Sequence, residues 1–249
     1  MPPQAATNSP SSKLLLLLSL AALVINYGYA SAPETVVQAL KRYGIEVNEA
    51  ALIQALSDPR KEVRGLSAAE LAEMKVTKAL PEIVRAAESE TDGLTQVNIA
   101  AAATWLGSEQ GLSLLKGICA ERTKPGYVRV AAARNVFKVQ DHICFLSLVD
   151  MIDRGTDTEG RIEGLGLLAQ VSPKADYKEK EALRLALKAL QDPEVIVRLQ
   201  ACEAIKWIGD PRAIPPLQEA LGHEQEEVVR DRIAAVLKFL RGNARQLHE

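Results

Sequence analysis

The chain has 249 residues and a net charge of −2; 47% of its residues are hydrophobic and 25% charged, a balance that excludes an intrinsically disordered segment. Aromatic residues make up only 4%, and the apolar mass is Leu, Ala, Val and Ile, which suits closely packed helices rather than a β-sandwich. No block of Lys or Arg supplies the basic face that a protein tracking phosphates needs, so nucleic acid is not an expected partner.

The first residues read as an export signal. Residues 1–13 are polar and end in Lys13, residues 14–25 are apolar apart from Ser19, and Gly28-Tyr29-Ala30-Ser31-Ala32 is a run rich in small residues. This order of charged, greasy and small segments predicts a signal peptide over 1–30 with cleavage before Ser31, and a periplasmic or secreted location. The alternative is an uncleaved anchor facing outside the cytoplasm. Twelve residues span about 18 Å as a helix, short of the roughly 20 residues that cross a bilayer, so membrane contact is expected only if the leader is retained.

Beyond residue 34 the sequence repeats. Asp58-Pro59, Val63-Arg64, Ala68, Leu71, Ala79, Pro81 and Ile83 recur 134 residues later, without a gap, as Asp192-Pro193, Val197-Arg198, Cys202, Ile205, Ala213, Pro215 and Leu217. Weaker copies are centred on Val97-Asn98, Val128-Arg129, Gly160-Arg161 and Val229-Arg230, giving successive spacings of 34, 31, 32, 37 and 32. Each copy reads as two amphipathic helices separated by a breaker such as Gly209-Asp210-Pro211. A single pair cannot bury its apolar stripe, so pairs must stack. The expected fold is an all-α superhelix, a solenoid of about five helical pairs plus a terminal helix over residues 34–243, with a tail at 244–249. Segments 35–43 and 49–56 cap its N-terminal end.

The first helix of most copies opens with Arg: Arg64, Arg129, Arg161, Arg198 and Arg230, with Asn98 in the second copy. Six places earlier stand Asp58, Asp92, Thr123, Gly155, Asp192 and Glu224. A carboxylate at a turn between repeats accepts hydrogen bonds from the helix that follows and from an Arg of a neighbouring repeat. Asp58, Arg64, Arg129, Arg161, Asp192, Arg198, Glu224 and Arg230 are therefore expected to form a structural ladder between repeats.

The Asp-Pro-x-x-x-Val-Arg opening, the Ala four residues after the Arg and the Gly-Asp-Pro-Arg-Ala-Ile-Pro-Pro-Leu turn at 209–217 resemble the HEAT family, in particular the short bacterial HEAT-like repeats associated with phycobilisome lyases. The resemblance covers roughly residues 50–240. It implies an α-solenoid that binds other proteins along its surface. Deoxyhypusine hydroxylase, a relative of that fold, binds two irons through His-Glu pairs. Here such pairs are only His223-Glu224 and His248-Glu249, and His142 precedes Ile143, too few ligands for a di-iron centre.

The remaining constellations carry no catalytic or cofactor site. Asp150, Asp153 and Asp157 lack calcium-loop spacing and read as a solvated helix end. Cys119, Cys144 and Cys202 permit at most one internal disulfide and read as buried free thiols. Gly155, Gly160, Gly164 and Gly166 mark close helix packing or a bend. Trp105, aligned with Leu71, is expected in the core and Trp207 partly outside it. The long link at 172–177 projects Lys174, Asp176 and Tyr177 as a partner-contact loop. Together these readings predict a noncatalytic protein-interaction scaffold of the bacterial periplasm or cell envelope, with a protein partner and no cofactor or metal. The alternatives are a lyase-like accessory factor or enzyme, and a membrane-tethered structural protein.

Overall fold

The computed structural model describes residues 34–137, 143–154, 157–171 and 177–246. The leader, together with Lys174 and Asp176 of the expected contact loop, lies outside these residues. Among the described residues there are thirteen α-helices and no strand. Two short helices, α1 (Val36–Arg42) and α2 (Glu49–Ala55), precede five pairs: α3 (Lys61–Glu73) with α4 (Leu80–Ser89), α5 (Gly93–Trp105) with α6 (Glu109–Ala120), α7 (Gly126–Phe137) with α8 (Ile143–Arg154), α9 (Thr158–Val171) with α10 (Tyr177–Ala189), and α11 (Val195–Ile208) with α12 (Ile214–His223). The terminal α13 runs Glu227–Gln246. It passes the expected end at 243, where Ala244, Arg245 and Gln246 are all good helix formers.

Local chemistry sets the helix ends. Thr35 and Gln38 form a reciprocal capping box on α1, and Asn48 caps α2 through Ala51 N. Gly209 ends α11 in the left-handed region at φ 71°, which a residue with a Cβ disfavours. Asp210 then accepts from Arg212 N at 2.8 Å, and Pro211–Ala213 forms a 3₁₀ turn that leads into α12.

The chain forms two compact blocks, one ending at Gly111 and the other beginning at Leu112. In the first, α1 and α2 pack on α3, and α3 and α4 pack on α5. In the second, the first helices α7, α9, α11 and α13 lie in a row, each against the next, with α8, α10 and α12 packed on them. The cores are aliphatic. Leu71, Ile83 and Ile99 are fully buried in one block, and Leu148, Leu165, Leu168 and Ile205 in the other, each contributing about 1.5–3 kcal/mol of transfer free energy.

Burial corrects the register of the second repeat. In α11 the buried positions are Val197, Ala201, Cys202, Ala204 and Ile205; α5 buries the same five, Thr95, Ile99, Ala100, Ala102 and Ala103, and Val97 in addition. Gln96, not Asn98, therefore stands where the other repeats have Arg. Trp105 moves out of the core accordingly and is 53% exposed. Tyr177, expected in a projecting loop, is the first residue of α10.

The glycines of the fourth repeat mark close contact between helices. A Cβ on Gly160 would stand 2.8 Å from Gly126 Cα, and one on Gly164 would stand 2.9 Å from Ile152 Cγ1. The backbones of α7 and α9 thus approach to a distance that only glycine allows.

The cysteines depart from the expected free thiols. Cys119 on α6 and Cys144 on α8 are joined by a disulfide, with their Cα atoms 5.7 Å apart. Helix stacking brings two positions 25 residues apart within bonding range. Cys202 alone is free, and burial pushes its thiol up to about 12. Thiol titration is expected to find no reactive group in the native protein, one after unfolding without reductant and three after reduction. Three thiols in the unreduced, unfolded protein contradict the bridge.

Candidate functional site

At Arg64 and Arg198 the first-helix Arg works in two directions. Arg64 Nη1 donates to the carbonyls of Asp58 at 2.8 Å and Pro59 at 3.1 Å, closing the turn before its own helix. Its Nε and Nη2 grip both oxygens of Glu90, at 2.6 and 2.8 Å. Arg198 repeats this arrangement. It donates to the carbonyls of Asp192 at 2.8 Å and Pro193 at 3.1 Å, and its fork holds Glu224 at 2.8 and 3.0 Å. Each acid stands six residues before the Arg position of the following repeat, once Gln96 takes that position in the second. Arg161 pairs with Asp192 at 2.9 Å in the same sense. Arg230 makes the turn contacts, to Glu224 O at 3.4 Å and Gln225 O at 2.6 Å.

Two expected ladder residues behave differently. The Asp58 carboxylate is taken by Arg60, at 2.8 Å to both Nε and Nη2, which lowers its carboxyl to about 2. Among the described residues Arg129 has no hydrogen-bonded carboxylate; in the sequence the acid's place in the register, six before Arg161, is Gly155 where Asp192 and Glu224 stand elsewhere. Arg129 is buried, donates to Cys119 O at 3.2 Å and Ser147 O at 3.4 Å, and burial lowers its pKa. The Cys119–Cys144 bridge spans the same two helices, α6 and α8. The sequence hides Glu90, because the two-residue register error puts Asp92 in its place. Asp92 instead caps α5 through Thr95 N at 3.0 Å and meets Lys61 at 2.7 Å. That lysine contact brings its carboxyl down to about 2.

The Asp150, Asp153 and Asp157 cluster is consumed by joints between repeats. Asp150 meets Arg122 at 3.0 Å, Asp153 meets Lys188 at 2.6 Å, and Asp157 accepts from Gly126 N at 2.8 Å. Among the described residues no group of three or more His, Cys, Asp or Glu could hold a metal ion. His223 is exposed at the end of α12, and His142 and His248 lie outside the described residues.

Besides Met74 and Leu146, the large apolar side chains exposed among the described residues form a stripe on the first helices. Ile196 and Trp207 on α11, and Val228 and Phe239 on α13, occupy identical repeat positions two before and nine after the Arg. All four are exposed, Trp207 at 75%. Eleven residues make three turns to within about 20°, so each pair lies on one side of its helix. Trp105 and Tyr127, also exposed, hold one of these positions in α5 and in α7. Between the apolar ends, Glu203 on α11 is ion-paired with Arg232 on α13, and Lys206 Nζ lies 5.8 Å from the Phe239 ring centroid. Arg134 on α7 meets Glu163 on α9 at 3.1 Å in the same register, five after one Arg to two after the next. The centre of the face is thus tied together by paired charges, while its ends stay apolar.

The ladder has a pH signature. Burial of Glu90 opposes ionisation, but the Arg64 fork and the N–H groups of Asp92 and Thr91 outweigh it and hold the carboxyl below its ordinary value. Glu224 is lowered in the same way by Arg198, Glu226 N and Gln225 N. A depressed folded pKa gives stability that is complete above the unfolded value and lost as pH falls through the folded one. E90Q and E224Q are each expected to cost about 1–3 kcal/mol near neutral pH. The deficit should shrink as pH falls below about 4. Urea unfolding at a series of pH values checks this; a pH-independent deficit contradicts it.

The HEAT repeat pattern matches residues 49–136 and 146–238. No curated protein matches the chain. Among solved structures, the chain is similar to an engineered protein, with 18% identity and a TM-score of 0.46 over 77% of this chain and 95% of that one. It is similar to human deoxyhypusine hydroxylase in complex with glycerol, with 16% identity and a TM-score of 0.41 over 94% and 92% of the two chains. It is also similar to the complex of CpcE and CpcF of phycocyanin lyase from a Nostoc species, with 18% identity and a TM-score of 0.37 over 87% and 99%. The repeat pattern accounts for well over half of the sequence, and the chain belongs to the HEAT repeat family.

Proposed function

We propose that this protein is a noncatalytic interaction scaffold of the bacterial periplasm or cell envelope, binding a protein partner on the exposed face of its first helices. The observation that carries the reading is the apolar stripe of Ile196, Trp207, Val228 and Phe239 on two helices packed side by side. Exposed aromatic residues of this kind cluster where proteins bind one another. The carboxylates that suggest a metal are engaged in joints instead, and the ladder arginines are engaged in turns and ion pairs.

Two features support an address outside the cytoplasm. The leader has the order of an export signal, and the Cys119–Cys144 bridge belongs to an oxidising compartment. No helix among the described residues is long and apolar enough to cross a membrane. In producing cells the mature chain is expected to start at Ser31, in the soluble extracytoplasmic fraction, with one free thiol. A full-length cytoplasmic chain with three free thiols contradicts the address, and a full-length chain in the membrane fraction indicates a retained anchor.

The binding face is tested by photo-crosslinking. A crosslinking side chain placed at position 207 is expected to capture a discrete protein adduct in envelope extracts. The same group at the exposed Gln218 of α12 should capture none. Equal adducts from both positions, or none from either, contradict the assignment of the face.

A further inference from the structure

The charge pattern around the apolar stripe specifies more than an apolar partner. At the N-terminal ends of α11 and α13 the exposed residues beside Ile196 and Val228 are Glu194, Glu226 and Glu227. At the C-terminal ends, beside Trp207 and Phe239, they are Lys206, Lys238 and Arg241. The two ends of the face therefore carry opposite charge. The ion pair between Glu203 and Arg232 at its middle is internally neutral.

The dimensions favour a helix as the occupant. The two apolar ends lie eleven residues apart, about 16 Å along the helix axis. Two parallel helices side by side leave a groove between them into which the apolar ridge of a third helix fits. A side chain every third or fourth residue on that third helix meets both ends and passes over the paired charges between them.

Resting on the scaffold reading above, we propose that the α11/α13 face binds an amphipathic helix of a partner protein lying antiparallel to α11 and α13. Its apolar side chains recur over about three turns, with carboxylates at its N-terminal end and basic groups at its C-terminal end. Antiparallel placement sets those carboxylates against Lys206, Lys238 and Arg241 and the bases against Glu226 and Glu227. It also opposes the helix dipoles. Helices ordinarily carry acids in the first turn and bases in the last, so the partner needs only ordinary helix ends.

The probe is a pair of synthetic, hydrocarbon-stapled helical peptides of about eighteen residues. Both carry leucines at the fourth, eighth, eleventh and fifteenth positions. One has Glu at its N-terminal end and Lys at its C-terminal end; the other exchanges them, with composition and helicity matched. Binding is read from the emission of Trp207 in mature, oxidised W105F protein. The first peptide is expected to shift that emission to the blue and to bind about tenfold more tightly than the second. The quadruple variant E226K/E227K/K238E/R241E should reverse the preference, and F239A should weaken both peptides. Circular dichroism shows whether each variant keeps its fold.

Equal affinity for the two peptides, or no saturable shift with either, overturns the proposal. So does a preference that the quadruple variant leaves unchanged. If position 207 still captures a protein while the peptides fail, the scaffold reading stands and only the helical partner is lost. If neither experiment succeeds, both readings fall.

Discussion

A guanidinium in the first turn of a first helix closes the turn behind it with one amino group and holds a carboxylate of the next repeat with its other edge. Arg198 does this with the Asp192 and Pro193 carbonyls and with Glu224. Arg64 does it with Asp58, Pro59 and Glu90. Bidentate guanidinium–carboxylate pairs fix direction as well as distance. The acid is itself held by two backbone N–H groups of its own turn. One residue type at one position therefore ties a turn, a helix start and the following repeat together. Apolar burial supplies most of the stabilising free energy, and the joint sets the register in which that burial occurs.

Where the acid is missing, other bonds serve. At the third repeat Arg129 turns to the carbonyls of Cys119 and Ser147, and a disulfide ties α6 to α8. At the joint of α7 and α9, Gly126 and Gly160 let the two backbones touch while Asp157 caps Gly126. Each substitute closes a joint between neighbouring helices without relying on the Arg fork. The first helices of the second block are thereby held in one register, and this register aligns Ile196 with Val228 and Trp207 with Phe239. The function assigned to the exposed face depends on the joints in this way.

Much of this is legible in the sequence, and the exceptions have physical causes. The match at an offset of 134 residues and the recurring Arg are enough to indicate helical pairs and a ladder. The second repeat misleads because it has neither Arg nor an Asp-Pro opening. Val97-Asn98 imitates Val-Arg two residues too late, and one slip of register hides Glu90 and places Trp105 in the core. The disulfide is not legible either. Three cysteines in apolar helices look alike until stacking decides which Cα atoms approach to 5.7 Å. The exposed stripe is half visible: Trp207 reads as partly outside the core and stands, like Phe239, nine residues after its Arg, but its equivalence to Trp105 needs the corrected register.

The central claim is that the Arg–carboxylate joint couples neighbouring repeats, and a double-mutant cycle on Arg198 and Glu224 tests it most directly. R198A, E224A and the double variant are unfolded in urea at neutral pH beside the parent. The account predicts that the two losses are not additive, with a coupling of about 1–3 kcal/mol. Losses that add to within about 0.3–0.5 kcal/mol would mean that the two side chains act independently, and the ladder would then not be what sets the register of the repeats.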